Sequence, residues 1–80
     1  MVQLRLFASA RDAAGVGRTE LAGETVGEII AAASQRFGER FAAIASASTI
    51  WVNGEPADDH QTVASGDEVA VLPPVSGGSR

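Results

Sequence analysis

The stretch TVGEIIAAASQRFG, residues 25–38, decides the fold of this chain. Thr25 is a common helix cap, and Glu28 three positions later predicts a capping box, in which each side chain accepts a backbone N–H at the helix start. Gly38 predicts a left-handed stop at the other end. Between these ends the apolar residues recur at helical spacing, which predicts one apolar face that packs on a sheet. Those residues are Val26, Ile29, Ile30, Ala33 and Phe37.

Short strands are predicted on both sides of this helix. Residues 1–7 alternate apolar and polar side chains, so Val2, Leu4 and Leu6 are expected to face the core and Phe7 the opposite side. Asn53-Gly54 is a strong hairpin signal. The other predicted strands are residues 18–22, 49–52, 55–57 and 68–72, of which 55–57 contains Pro56 and must lie at an edge.

Two further segments complete the secondary structure. Ser9 and Asp12 predict a capping pair for a short helix that ends at Gly15. Residues 39–48 leave a second short helix and a turn open as alternatives, either of which places Phe41 and an isoleucine under the core. The resulting fold class is α+β, a small mixed sheet with one main helix packed on one face. The first and last strands are expected to lie side by side in its centre.

Composition narrows the classes of function. The 80 residues carry a net charge of −4, with six arginines and no lysine, so we expect no nucleic-acid partner. There is no cysteine for a disulfide or a thiolate nucleophile. No apolar run approaches the roughly 20 residues of a membrane span, and no signal peptide is visible after Met1, so we expect a cytoplasmic protein with no membrane partner. Residues 58–60, Asp-Asp-His, match no metal motif and are interpreted as a solvated turn, with no metal site.

The chain ends in Pro73-Pro74-Val75-Ser76-Gly77-Gly78-Ser79-Arg80. The prolines stop a strand and hold the chain extended, while the glycines carry no side chain. The six residues after Leu72 can reach roughly 20 Å from the folded body. Such an arm suits insertion into a narrow site of another protein, and a frayed terminus is the alternative. We therefore divide the chain into a folded domain, residues 1–72, and an extended tail, residues 73–80.

Five segments carry a resemblance to a known family. They are FASARD at 7–12, TVGE at 25–28, VNGE at 52–55, GDEVA at 66–70 and PPVSGG at 73–78. Together they resemble MoaD, the small subunit of molybdopterin synthase, within the MoaD/ThiS family of β-grasp (ubiquitin-like) sulfur carriers. Thiazole-pathway carriers share the Gly-Gly ending but usually lack the double proline, so the molybdopterin branch is the better match. The resemblance implies a β-grasp fold.

The same resemblance implies a carrier whose chemistry lies at its terminal carboxylate. In that family a MoeB/ThiF-like adenylyltransferase activates the terminal glycine with ATP, and a sulfurtransferase or cysteine desulfurase supplies sulfur. The resulting thiocarboxylate donates its sulfur inside a MoaE-like large subunit. The matching site here is Gly78, with Gly77 before it. The chain would then be a non-catalytic subunit that binds no cofactor, ATP being used by its activating partner.

A docking face is expected where the first and last strands end. If these strands are parallel neighbours, Phe7 and Leu72 lie together on the exposed face beside the root of the tail. An apolar patch rimmed by charge is typical of partner sites. Trp51 is either part of this face or an ordinary half-buried aromatic. The resemblance implies partner contacts at Phe7, Arg11 and Leu72, joined by Pro73, Pro74 and Val75 of the tail.

Ser79 and Arg80 depart from the family pattern, because they leave a peptide bond at Gly78 where the chemistry needs a free carboxylate. Two explanations stay open: an extension that a processing protease removes, or an addition left by recombinant expression. Two other functions also stay open. One is a sulfur carrier for thiazole, cysteine or tRNA thiolation, and the other is a β-grasp interaction module that transfers nothing.

Overall fold

The computed structural model describes residues 1–74, and the tail from Val75 to Arg80 lies outside the described residues. In chain order the elements are β1 (Val2–Leu6), α1 (Ala8–Ala14), β2 (Arg18–Leu21), α2 (Val26–Phe37), α3 (Glu39–Ser46), β3 (Thr49–Val52), β4 (Glu55–Ala57) and β5 (Glu68–Leu72). The five strands form one sheet in the order β2-β1-β5-β3-β4. β1 and β5 are parallel neighbours at its centre, and every other pair is antiparallel. The predicted α+β, β-grasp fold is confirmed.

The core lies between the helices and one face of this sheet, which we call the inner face. Alternation places Val2, Leu4 and Leu6 of β1 on it, all buried as the sequence predicted. The segment that was ambiguous in sequence is a helix, α3, and its Phe41 is the largest fully buried side chain among the described residues. Phe37 of α2 meets the Phe41 ring edge-on, with 5.3 Å between centroids, so the two helices pack through an aromatic pair.

The start of α2 confirms the predicted cap, with one difference in its partner. Thr25 Oγ1 accepts the backbone N–H of Glu28 at 3.1 Å. The Glu28 carboxylate reaches back as expected but accepts the N–H of Glu24, one residue before the cap, at 2.8 Å. The loop after β4 supplies carbonyl acceptors for the N–H groups of Val26 and Gly27, both at 2.9 Å. All these donors would otherwise lack partners at a helix start, so the helix and the loop stabilise each other.

Two helix ends differ from their sequence predictions. Gly38 has positive φ, at +100°, but its ψ of −177° is not the left-handed helical conformation that was predicted. The same glycine also begins α3, so the chain turns sharply there instead of closing a left-handed stop. The short helix α1 starts at Ala8 with Phe7 in the capping position and no side-chain cap, so the predicted Ser9–Asp12 capping pair is wrong. Its left-handed end at Gly15, with φ +80°, is confirmed.

A tight hairpin and a hydrogen-bonded turn fix the start of β5. Asn53 and Gly54 both adopt positive φ, +50° and +86°, which is the geometry the Asn-Gly pair predicts. The Asn53 side chain accepts the backbone N–H of Glu68 at 3.0 Å and donates to the Asp67 carboxylate at 3.2 Å. The other Asp67 oxygen accepts the Ala64 N–H at 2.8 Å. The hairpin and the turn before β5 are therefore joined by one carboxylate.

Candidate functional site

Phe7 and Leu72 stand at the same end of the sheet, one residue beyond the last β1–β5 pair. Leu6 is opposite Val71 in the parallel register, so Phe7 and Leu72, which follow them, lie at the same level, with Leu72 still paired to Thr49 of β3. Phe7 is 37% exposed and Leu72 38%, and together they form part of one exposed apolar patch. The sequence prediction that β1 and β5 bring these two residues together is confirmed.

These two side chains border a shallow depression of about 310 Å³ on the outer face of the sheet, the face opposite the helices. We call it the outer-face depression. Trp51 and Ala70 are directly opposite each other across β3 and β5, and both line it, so the half-buried Trp51 lies on the same face as Phe7 and Leu72. A docking role for Trp51 stays a prediction. The remaining lining residues are Arg5, Gly54 and Glu68. Apolar side chains with a charged border are typical of a protein-binding surface.

Arg5 provides the charged border and holds Phe7 in place. Its guanidinium lies over the Phe7 ring, 5.3 Å from the centroid, and one of its nitrogens is 3.4 Å from a Glu68 carboxylate oxygen. Both charged side chains are about two-fifths exposed. An ion pair this exposed contributes little to stability, on the order of 0 to 1 kcal/mol, so its effect is to orient the guanidinium against the aromatic ring.

The root of the tail lies between the outer-face depression and a second hollow on the helix side. Pro73 is half-buried and Pro74 exposed. Pro74 lines the second hollow, of about 370 Å³, together with Ser9 of α1 and three residues of the α3 region. The predicted site residues Val75, Gly77 and Gly78 lie outside the described residues.

Arg11 is near Phe7 but does not line the outer-face depression. Its backbone N–H donates to the Phe7 carbonyl at 3.3 Å, which places it one helical turn along α1. Its side chain lies over Gly17, where an added Cβ would be only 3.3 Å from the Arg11 Nε. Because Gly17 has no side chain, the Arg11 guanidinium can occupy this space beside the α1–β2 turn.

Sequence reasoning missed Arg5, Glu68 and Ala70 as lining residues. Each alternates with a buried residue, so the signal was present in the period of two along β1 and β5, although a core-facing side was predicted only for β1. Combining the two strands into one surface required their pairing register, which places Arg5 opposite Ala70.

The described residues around the outer-face depression form an apolar surface with a charged border. Within residues 1–74 no three ligand-type side chains lie close enough to hold a metal ion. The Asp58 carboxylate accepts the backbone N–H of His60 at 2.9 Å, which agrees with the interpretation of residues 58–60 as a turn. Among the same residues no helix is long and apolar enough to cross a membrane.

Comparison with known proteins gives matches along nearly the whole chain. The model of the ThiS family matches residues 4–78. The crystal structure of small archaeal modifier protein 1 (SAMP1) from Haloferax volcanii is 30% identical, with 96% of this chain and 98% of that chain covered and a TM-score of 0.77. A putative molybdopterin converting factor, subunit 1, from Pyrococcus furiosus is also 30% identical, with coverage of 92% and 97% and a TM-score of 0.77. A chain in the Amycolatopsis orientalis BexX/CysO complex is 26% identical, with coverage of 98% and 100% and a TM-score of 0.82.

Proposed function

Since the chain belongs to the ThiS family of ubiquitin-like sulfur carriers and modifiers, we propose that it is the small subunit of a molybdopterin synthase. Its tail would carry sulfur as a thiocarboxylate on Gly78. The observation that carries the proposal is the outer-face depression beside the root of a tail that reads Pro-Pro-Val-Ser-Gly-Gly. The Pyrococcus furiosus relative, named a molybdopterin converting factor subunit, supports this branch of the family.

The chemistry needs activation of the terminal carboxylate before sulfur can be attached. The Gly78 carboxylate attacks the α-phosphorus of ATP, pyrophosphate leaves, and an acyl-adenylate results. The terminal sulfur of a persulfide on a sulfurtransferase or cysteine desulfurase would then attack the carbonyl carbon, so that AMP leaves and an acyl disulfide forms. A thiol reductant would cleave its S–S bond, which leaves the thiocarboxylate on Gly78 and a disulfide on the donor side. Gly77 and Gly78 let two partner sites close around this end, because glycine has no side chain and tolerates backbone angles that other residues do not.

The partners would supply the two binding sites that the reaction needs. A MoeB/ThiF-like adenylyltransferase provides the nucleotide site, and a MoaE-like large subunit provides the pocket for the sulfur acceptor. Both would dock on Phe7, Leu72 and Trp51 in turn, while Pro73 and Pro74 direct the tail into the active site. Arg11, one turn along α1 from Phe7, would contact the edge of the same partners. The similar Amycolatopsis chain, from a crystal structure of a BexX/CysO complex, supports docking on a second protein.

Removal of Ser79 and Arg80 is the first step of the proposal, because a peptide bond joins Gly78 to Ser79 in this sequence. The test compares a variant ending at Gly78 with the chain ending at Arg80. Each is incubated with the adenylyltransferase, ATP and a sulfur source, and its intact mass is measured. Only the form ending at Gly78 should gain the mass difference between sulfur and oxygen. A form ending at Gly78 that is never adenylated would refute the carrier function.

A second candidate is a protein modifier, joined through Gly78 to amines of other proteins. The specific observation that favours it is the identity with small archaeal modifier protein 1, which equals that with the molybdopterin relative. Affinity purification of a tagged form ending at Gly78 from its host separates the two. Recovery of a large synthase subunit supports the first function, and a ladder of covalent adducts supports the second.

A further inference from the structure

Two arginines face each other on the outer face of the sheet at its tail end. Arg5 and Arg18 are direct partners in the antiparallel β1–β2 register. Arg5 alternates with the buried Leu4 and Leu6, so its side chain lies on the outer face. Side chains opposite each other in such a pair share one face with Cβ atoms about 5 Å apart, so Arg18 lies there as well. We call these two residues the basic rim.

The basic rim is a feature that the fold itself does not require. Like charges directly opposite each other destabilise a strand pair. Within residues 1–74 the only ion pair joins Arg5 to Glu68, and Arg18 has no side-chain hydrogen bond there. The other nearby acid of this face, Glu20, accepts a hydrogen bond from Gln3 at 2.8 Å. A chain with a net charge of −4 thus places two cations side by side, and Arg18 forms no ion pair within residues 1–74.

A third guanidinium lies at the same end of the β1–β2 pair. The side chain of Arg11 covers Gly17, the residue directly before Arg18. The Gly17 carbonyl accepts the N–H of Leu6 at 2.9 Å, which ties this turn to the end of β1. Three of the six arginines of the chain therefore surround the end of β1, where Phe7 begins the border of the outer-face depression.

We propose that the basic rim receives carboxylates of the protein that docks on the outer-face depression, and that Arg18 is a specificity-determining contact. This inference rests on the proposed function and names the chemistry of the partner: an apolar protrusion flanked by Asp or Glu. Charge complementarity carries it, since the net charge of the chain is negative and three of its six arginines lie together beside the depression, where they would attract an acidic partner. Arginine suits this role because its planar fork binds a carboxylate with two hydrogen bonds.

The basic rim is an open strand-pair surface continuous with the apolar depression. That arrangement fits an interface with a charged border better than a closed site for a small phosphate. Arg18 is the better residue to substitute, because a change at Arg5 would also remove its contact with the Phe7 ring. Arg40 of α3, on the helix side, offers a matched control with the same change in charge.

The experiment measures ATP–pyrophosphate exchange by the MoeB/ThiF-like adenylyltransferase with forms of this chain that end at Gly78. Arg18→Gln should raise KM for the carrier about fivefold, the upper range for one exposed ion pair, without changing kcat. It should also reduce the dependence of KM on sodium chloride, because one charge pair is lost. Arg40→Gln should leave KM and its dependence on sodium chloride unchanged. Thermal unfolding should show that Arg18→Gln is as stable as wild type or more stable, because it relieves a like-charge pair.

Each alternative outcome points to a different conclusion. An unchanged KM in Arg18→Gln, or an equal rise in Arg40→Gln, refutes the carboxylate contact while the carrier function stands. A phosphate-specific effect at constant ionic strength that Arg18→Gln abolishes would reassign the basic rim to a phosphate and overturn the inference. No exchange with wild type ending at Gly78 refutes the carrier function and, with it, this inference.

Discussion

Replacing Phe7 by Ala tests the docking surface most directly. The substitution removes the aromatic border of the outer-face depression and leaves the backbone that begins α1 in place. The Phe7 carbonyl would still accept the N–H groups of Ala10 and Arg11, at 3.0 and 3.3 Å in the wild type. We therefore expect the fold to persist, with a loss of about 1 kcal/mol from the missing ring and its contact with the Arg5 guanidinium.

The size of the binding effect follows from the exposed fraction of Phe7. A phenylalanine side chain presents about 200 Å², so the 37% that is exposed leaves about 70 Å² for a partner to cover. At about 25 cal/mol for each Å² this is worth about 1.8 kcal/mol of binding free energy. That corresponds to about a 20-fold increase in Kd, as an upper value, because alanine keeps one of the carbons.

Titration calorimetry with the adenylyltransferase, in the absence of ATP, measures this change in Kd. Val16→Ala is the matched control, since Val16 is 41% exposed but lies in the α1–β2 turn and does not line the depression. We expect Val16→Ala to bind as wild type does. Equal affinities for wild type and Phe7→Ala, or equal losses in the two variants, would show that partners do not dock on this surface.

Two further predictions concern stability. Thr25→Ala removes the hydroxyl that caps α2 and should lower the free energy of unfolding by about 1 kcal/mol in urea denaturation, whereas Thr25→Ser should retain most of it; equal midpoints for all three proteins would contradict the capping argument. The N–H of Ala64 and the side chain of Asn53 lower the pKa of Asp67 below its ordinary value of 3.8. A carboxylate whose pKa is lower in the folded state contributes stability that is fully present above its unfolded-state pKa. That stability is lost as the pH falls through its folded-state pKa. The wild type should therefore lose stability below about pH 4 more steeply than Asp67→Asn, as followed by circular dichroism, and parallel acid curves would argue against this contribution.

Most of the secondary structure could be predicted because it depends on local patterns. The period of two in residues 2–6 gives β1, and the Asn53-Gly54 pair gives the hairpin, since few other residues adopt positive φ at both turn positions. The capping pair at Thr25 and Glu28 gives the start of α2. Each of these signals is complete within a few residues of sequence, so tertiary contacts did not need to be known.

The differences from the sequence predictions have identifiable causes. Ser9 and Asp12 match the spacing of a capping pair, but the chain already turns at Ala8, with φ +50°, and α1 begins before a serine cap can act. Gly38 serves two helices at once, so its conformation follows from the direction of α3 and not from the end of α2 alone. The short apolar spacing in residues 39–48 did not distinguish a helix from a turn, because either one places Phe41 under the core; the backbone of α3 decides for the helix.

The sequence by itself determined which residues of β1 face the core, where the strands and the main helix begin, and that a Pro-Pro-Val-Ser-Gly-Gly segment follows the last strand. Only the tertiary structure decided how those residues combine into a surface. Phe7 and Leu72 are 65 positions apart in the numbering, and they meet because β1 and β5 pair in a parallel register. The register of β1 with β2 likewise sets Arg18 opposite Arg5. The physical reason is that burial on the inner face specifies the register strongly, since a slip by one residue would turn every core side chain towards solvent. The outer face, with its depression and its arginines, is fixed as a consequence.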